Sequence, residues 1–487
     1  TTAAGAATTA AAGTTGGSSG AATTAAGSTP AAGSSGGSAG CPAVDSSIDA
    51  VEGTGAGRFI SDLTCAGTKP LKAVGDPVVI GFENPEGDPN GSFPEATLGA
   101  KAAVDYINAE LGGWGADIQN GKAGRPIKLE VCKTAISPDD SQRCANEIVA
   151  KKPEIAVSTI NFFGNHLPIF EAAGIPAIVT SPVTIADFTS KTAFAIAGGG
   201  GCLGAHTALV EFSTHDLKAK RVAVPWADTP PGVVCYYDLE NKPLDVLKGT
   251  VKSTSKEAGT IPDLEHIGVP IKPATPDVTP QVTEILNFKP DAIIFSAQGA
   301  DCWNLVDGLG RLGWTPDKIP LVMSGSCIDF DAMKAAGDLA KGVYFVTSGG
   351  SITNDPTTIT NARAKFEAEI FQTKPIQYGM SKSDLFKGFG ANGFNSMINI
   401  WELASRTAVA NGGTVDKTSF SKYVGATKSD HLFGSTPLSC ALAPVPYVAI
   451  CNTISTVAKW DGTSLVPVRQ NFSGADLVAG TELKPGP

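Results

Sequence analysis

Apolar positions along the chain follow two alternating signatures. Short unbroken runs at 78–82, 127–131, 155–159, 177–180, 221–225, 292–296 and 321–324 read as buried strands. Between them, apolar residues recur at three- and four-residue spacing, predicting helices at 96–111, 139–151, 167–173, 203–214, 279–288 and 303–312. Further strands are expected at 194–197 and 342–346, a helix through 236–247, and long helical regions near 357–372 and 388–410. In the first helix Leu98, Ala102, Tyr106 and Leu111 are expected to share one inward side.

Strands alternating with helices predict parallel sheets covered on both faces. The strands are too many for one comfortable sheet, so the chain is expected to be α/β, with two doubly wound lobes. Ligands in such sheets bind beyond the carboxyl ends of the strands. Those ends read "FENPEGDPNGSFPE", "STINFFGNH", "TSPVTIADF", "AVPWADTPPG", "FSAQGADCW" and "VMSGSCIDF". They carry hydroxyls, amides and aromatics, without a cluster of acids, histidines or lysines. The 83–95 turn follows the first of these strand ends.

Composition narrows the class. The 487 residues are 42% apolar and carry a formal charge of −10, with no basic run. A nucleic-acid partner is disfavoured, because that affinity rests largely on Lys and Arg against phosphates. Unbroken apolar segments long enough to span a bilayer are absent.

The ten cysteines fall in neighbouring twos: Cys41 and Cys65, Cys132 and Cys144, Cys202 and Cys235, Cys302 and Cys327, Cys440 and Cys451. Spacing alone does not fix connectivity, but neighbour-with-neighbour pairing would clip local loops, as expected of a protein exported to an oxidising compartment. A CxxC or Cys/His zinc pattern is missing, so no metal is expected. Residues 1–40 are Thr, Ala, Gly, Ser and Pro30, a composition that reads as a tether or stalk open to O-glycosylation, and a start at Thr1 fits removal of an export signal. Asn471 in "NFS" has the N-glycan acceptor pattern.

The order of motifs resembles the branched-chain amino-acid-binding proteins, the type I periplasmic solute-binding proteins of ABC importers. The resemblance rests on "VVIGFENPEGDPNGSFPEATLGAKAAVDYINAELGG", "GRPIKLEVCKTAISPDDSQRCANEIVAKKPEIAVST", "FEAAGIPAIVTSP", "KRVAVPWAD", "LNFKPDAIIFSAQGADCWNLVDGLGRLGW" and "AAGDLAKGVYFVTS", spanning 76–461. It implies two lobes joined by three crossing strands, closing over a ligand delivered to a membrane permease. On that basis lobe 1 would comprise 76–197 and 347–435, and lobe 2 would comprise 198–346 and 436–487. Residues 41–75 would be a cystine-clipped extension behind the 1–40 tail.

The resemblance also implies a ligand site at Ser92, Phe93, Asn161, Phe162, Phe163, Ser181, Thr184, Trp226, Gln298 and Ser326. Amino-acid binders of the family carry small hydroxyls after the third strand and commonly an acid near the "MSGSC" turn. This chain has "NFFGNH" and Ser326 at those places, which points to a flatter, less charged ligand, aromatic solutes included. Plain packing competes at each aromatic: Phe162 and Phe163 also suit an inward helix start, and Trp226 suits a strand core. His166 is read as a helix-start hydrogen-bonding residue.

Catalytic signatures are lacking. "GGGGCLG" (198–204) contains G-x-G-x-x-G between a strand and a helix, yet it falls at the expected crossover, where glycines let the backbone bend. "GLGRLG" (308–313) ends a helix, where glycine caps are expected. The adjacent Asp139 and Asp140 read as helix-start acids. Neither a cofactor nor an enzymatic activity is expected. An alternative reading makes the same fold a subunit of a cell-surface or filamentous assembly, with residues 1–40 ordered between copies.

Overall fold

The computed structural model describes residues 69–484, apart from 90, 197–200, 348–354, 360–361, 429–431 and 435–436. The expected tail, the expected Cys41–Cys65 pair and most of the 41–75 extension lie outside these residues.

Continuous apolar runs become the central strands of two sheets, because parallel strands covered by helices on both faces are buried along their whole length. The first sheet contains β1 (Val78–Pro85), β2 (Ile127–Thr134), β3 (Ile155–Ser158), β4 (Ala177–Val179) and β5 (Ala193–Phe194). Its order is β2-β1-β3-β4-β5, all parallel. Its connections include α1 (Pro94–Glu110), α2 (Pro138–Ala150), α3 (Leu167–Ala172) and α4 (Ile185–Thr189).

The second half starts with α5 (Cys202–Glu211), β6 (Arg221–Ala227), α6 (Pro230–Tyr236) and α7 (Lys242–Lys248). It continues through β7 (Glu265–Ile271), α8 (Thr279–Asn287), β8 (Ala292–Phe295) and α9 (Ala300–Arg311). Then come β9 (Leu321–Ser324), α10 (Phe330–Ala336) and β10 (Tyr344–Thr347). The chain next returns to the first layer with α11 (Ala362–Gln377), α12 (Lys382–Leu385), α13 (Gly390–Ala410) and α14 (Lys417–Gly425). It closes with β11 (Ser455–Trp460) and β12 (Leu465–Phe472). The second sheet has the order β12-β11-β10-β9-β8-β6-β7, with β11 and β12 antiparallel to their neighbours. The chain therefore passes three times between sheets. Two of the passages run side by side, where Ala195 and Ile450 form a parallel bridge.

Each sheet has its own core. Around the first, Ile80 and Phe82 pack with Phe394, Met397 and Trp401 of α13. Around the second, Phe295, Met323 and Phe345 pack with Trp314 and Trp460. Helix α13 lies close against α1 because both are glycine-bearing at the contact. A Cβ on Gly99 would come 2.5 Å from the carbonyl oxygen of Gly390, and one on Gly393 would overlap that of Ala96.

Boundaries shift by a few residues from the sequence expectations, and Leu98 faces outward at 40% exposure while Ala102 and Tyr106 face the core. Strands β7, β11 and β12 and helices α4, α10, α12 and α14 are additional to those expected. The 236–247 helix is two helices joined by a π-helical turn at Tyr237–Asn241. Asp140 occupies the first turn of α2 behind the cap Ser137, as its position suggested.

Four disulfides join the neighbouring cysteines: Cys132–Cys144, Cys202–Cys235, Cys302–Cys327 and Cys440–Cys451. Each closes a loop of a kind that adds about 2–4 kcal/mol. No helix among the described residues is long and apolar enough to cross a membrane.

Candidate functional site: a cavity between the sheets

A cavity of about 260 Å³ opens where the strand ends of both sheets face one another. From the first sheet come Ile160, Phe162, Thr180, Ser181 and Val183, and from the second Ser296, Ala297, Gln298, Ser324 and Ser326. Four of the ten expected site residues, Phe162, Ser181, Gln298 and Ser326, therefore line one space.

The Phe162 loop is set by buried polar groups behind it. Asn161 Oδ1 accepts from the backbone N–H groups of Phe163 and Gly164, both at 3.0 Å. Its Nδ2 donates to Ser141 Oγ at 2.7 Å and to Glu83 Oε1 at 3.1 Å. Ser158 Oγ also donates to Glu83 Oε1, at 2.7 Å, and His166 Nε2 lies 3.4 Å from the same oxygen. Burial pushes the Glu83 carboxyl up to about 7 against these hydrogen bonds and the His166 imidazole down to about 4. Burial also raises Asp187, whose charge opposes the drop at His166. Asn161 thus holds the loop rather than lining the cavity.

Other expected residues also act one layer back. Ser92 is exposed and accepts from the Gly87 N–H at 2.8 Å. Phe93 packs edge-on against Phe389, 4.8 Å between centroids, and it is Phe389 that faces the cavity. Phe163 is half-buried against the same cluster. Thr184 caps α4 in a reciprocal capping box with Asp187. Trp226 stacks on Tyr236 at 5.0 Å within the second lobe's core.

The 83–95 segment does approach the cavity walls, through Gly91. A Cβ there would lie 3.0 Å from Gln298 Nε2 and 3.5 Å from the Phe162 ring, so a residue without a side chain lets these two groups converge. On the opposite wall, Ser326 Oγ donates to the Ala297 carbonyl at 2.5 Å and lies 2.6 Å from Ser324 Oγ. Disulfide Cys302–Cys327 fixes this turn against α9, as does Trp303 Nε1, which donates to the Cys327 carbonyl at 3.1 Å.

Sequence reasoning missed the remaining walls. Cys202 and Cys235 line the cavity as a disulfide, beside His206 one turn along α5. The ligand atoms of these three residues lie within 4.8 Å of one another, but the two sulfurs are bonded covalently, so they are not thiolate ligands. The π-helical turn after α6 directs Glu240 inward, and its Oε1 sits 2.9 Å from His206 Nδ1. Gly201 begins α5 with φ +58°, and a Cβ there would overlap the Pro182 carbonyl. Close packing thus accounts for this glycine of the "GGGGCLG" run; residues 198–200 lie outside the described part.

Toward the passages between sheets, the cavity is walled by Phe330, Phe386, Phe389 and Phe433, and by Asn392, Asn395, Ser396 and Asn399 of α13. The signal in the sequence was the asparagine spacing within "NGFNSMIN", which places three amides on one helix face. Among the described lining residues none is Asp, Glu, Lys or Arg.

Two facing α/β sheets, three passages between them and a cavity at the strand ends define a two-lobed solute-binding architecture. The family model described as "Periplasmic binding protein" matches residues 77–434, and the chain belongs to that family, whose members are solute-binding proteins. Solved structures share the type I fold. A fatty acid ABC transporter substrate-binding protein from Thermomonospora curvata superposes with TM-score 0.63 at 16% identity, covering 86% of this chain and 98% of that one. A leucine-binding protein from Thermotoga maritima gives 0.58 at 15% identity, covering 81% and 98%. A solute-binding protein of R. palustris in complex with 4-hydroxybenzoate gives 0.60 at 16% identity, covering 82% and 97%. No curated protein sequence matches the chain.

Proposed function

We propose that the chain is an exported solute-binding protein that closes its two lobes over one small, uncharged organic molecule and hands it to an ABC importer. The observation that carries this reading is the cavity itself. Both sheets wall it with hydroxyls, amides and aromatic rings, and none of its described lining residues is Asp, Glu, Lys or Arg. The similar proteins just described are a leucine-binding protein, a fatty acid transporter's substrate-binding protein and a solute-binding protein in complex with 4-hydroxybenzoate, so the architecture tolerates varied chemistry.

A zwitterionic amino acid fits this wall poorly. Its ammonium would enter a low-dielectric cavity without a carboxylate among the described lining residues, at a cost of several kcal/mol. An aromatic or branched apolar body against Phe162, Val183 and Ile160, with polar edges toward Ser181, Gln298 and Ser326, uses the residues present. In this proposal lobe 1 takes 76–197 and 347–435, and lobe 2 takes 198–346 and 436–487. Reversing an open-to-closed ratio from 99:1 to 1:99 requires about 5.5 kcal/mol of preference for the closed form. Several hydrogen bonds and one stacked ring reach that scale.

A thermal-shift screen across neutral and charged small organics tests the reading. A ligand at a hundred times its Kd contributes about 2.7 kcal/mol, a shift of roughly 3 °C for a chain of this size. We expect a neutral compound to produce such a shift and Phe162→Ala to abolish it. A screen in which only compounds insensitive to Phe162→Ala bind would contradict the site.

A further inference from the structure

Helix α13 carries Asn392, Asn395 and Asn399 at spacings of three and four residues, with Ser396 beside them, and all four line the cavity. This face is turned away from Gly390, Gly393 and Met397, the side that packs toward α1 and the first core. Asn399 and Ser396 are each only 2% exposed. Even so, Asn395 Oδ1, Ser396 Oγ and Asn399 Oδ1 have no hydrogen-bond partner among the described residues. A buried polar atom left unpaired costs about 1–3 kcal/mol, so a row of three such atoms on the cavity face of this helix needs a reason outside the fold.

We infer that this asparagine row is the polar anchor of the ligand site, built for a neutral group that donates and accepts hydrogen bonds together, such as an amide, a urea or a hydroxyl pair. The inference rests on the solute-binding reading above and narrows its ligand class. Each carboxamide offers both donors and an acceptor. A carboxylate could only accept, so it would leave the asparagine carbonyls unpaired in a cavity whose described lining residues include no Lys or Arg to offset its charge. An ammonium could only donate, and would likewise meet no counter-charge. A neutral amide or hydroxyl pair satisfies both halves of the row. The ligand's apolar body would then lie among Phe330, Phe386, Phe389 and Phe433, which wall the same end.

The anchor also lies beside the passages between lobes. Thr347 ends β10 just before the second passage, and Phe433 and Gly434 precede the third; all three line the cavity with α13. A group held there touches the segments about which the lobes would hinge, whereas a group held only at Ser181 and Gln298 would touch the strand-end loops.

Isothermal titration of the whole protein with 4-hydroxybenzamide, and separately with 4-hydroxybenzoate, tests the anchor on two probes of one shape that differ in the polar head. The wild type should bind the amide at least tenfold more tightly than the carboxylate. Asn399→Leu keeps the side-chain shape and removes both hydrogen-bonding atoms; it should weaken the amide at least tenfold without lowering the melting temperature. Equal or tighter binding of the carboxylate would overturn the inference, as would unchanged amide affinity in Asn399→Leu. A melting temperature lowered by several degrees in that variant would also overturn it, by showing that the amide holds the fold. Failure of the amide to bind at all would remove the ligand class. If the thermal-shift screen then still returned a ligand sensitive to Phe162→Ala, the solute-binding reading would stand without the anchor.

Discussion

Single residues divide into those that face the cavity and those that hold them. Phe162 does the first, and Asn161, pinned to Glu83 and Ser141, does the second. The sequence motif "NFFGNH" named both, but could not say which ring turned inward, because both aromatics are apolar and adjacent. Trp226 was equally open, and its stacking on Tyr236 in the second core shows it to be a packing residue. Trp226→Ala should therefore cost about 3–5 kcal/mol of stability, read as a lower urea midpoint with ligand affinity unchanged, whereas Phe162→Ala, at a ring also buried, should lose stability and ligand affinity together.

The buried Glu83 gives a second prediction at this scale. In the folded chain burial keeps its proton on up to about 7, against 4.5 for an unperturbed carboxyl. Its contribution to stability is complete below 4.5 and is lost as pH rises to about 7. His166 works the opposite way: held neutral down to about 4 instead of 6.5, it makes the fold less stable as pH falls through that window. The two slopes oppose each other in the wild type. Glu83→Gln should therefore gain on the wild type as pH rises from 4.5 to 7, by about 3 kcal/mol at about 1.4 kcal/mol per proton per pH unit. Urea melts at four pH values across that window check it. A difference that does not change with pH would mean that Glu83 is not the proton-retaining group.

At the scale of elements, central parallel strands were readable because burial on both faces leaves an unbroken apolar run, as in "AIIF" of β8 and "LVMS" of β9. Strand β7, "EHIGVPI", was not, since it interleaves charge, Gly and Pro. The antiparallel β11 is buried almost throughout but interleaves Ser, Thr and Lys, and β12 exposes every second residue or so, so neither carries such a run. The α13 wall stayed hidden for a related reason: an asparagine in a helix reads as surface unless its neighbours show that the face is enclosed. The "GANG" turn of that helix is more telling in the structure, where Gly393 permits the close approach to α1. Gly393→Ala would place a methyl against the Ala96 carbonyl, backbone that cannot swing aside. We expect a loss of about 1–3 kcal/mol, seen as a melting temperature lowered by several degrees; an unchanged melting temperature would show that the helices can separate freely. Gly91→Leu should weaken ligand binding by wedging a side chain between Phe162 and Gln298, and should lower stability as well, since its Cβ would come 2.9 Å from Ile136 Cδ1.

For the whole molecule, the alternation of strand and helix and the order of motifs were enough to indicate two facing lobes of the periplasmic binding protein fold, which the family match over 77–434 bears out. The paired cysteines were legible for the same reason. Four local disulfides join neighbours among the described residues, one of them, Cys202–Cys235, in a cavity wall. What the sequence could not reveal is which strand-end residues converge, because convergence depends on how two sheets face each other across three passages. Assembly through residues 1–40 concerns a segment outside the described residues.

The central claim is that the space between the lobes takes one small organic molecule. Native mass spectrometry of the protein as purified, before dialysis and again after exposure to a pool of small metabolites, tests it most directly. The account predicts a chain carrying a single small uncharged mass, present in wild type and missing from a Phe162→Ala, Gln298→Ala double variant that remains folded. A chain that stays empty under both conditions, or a bound mass retained in full by the double variant, would contradict it.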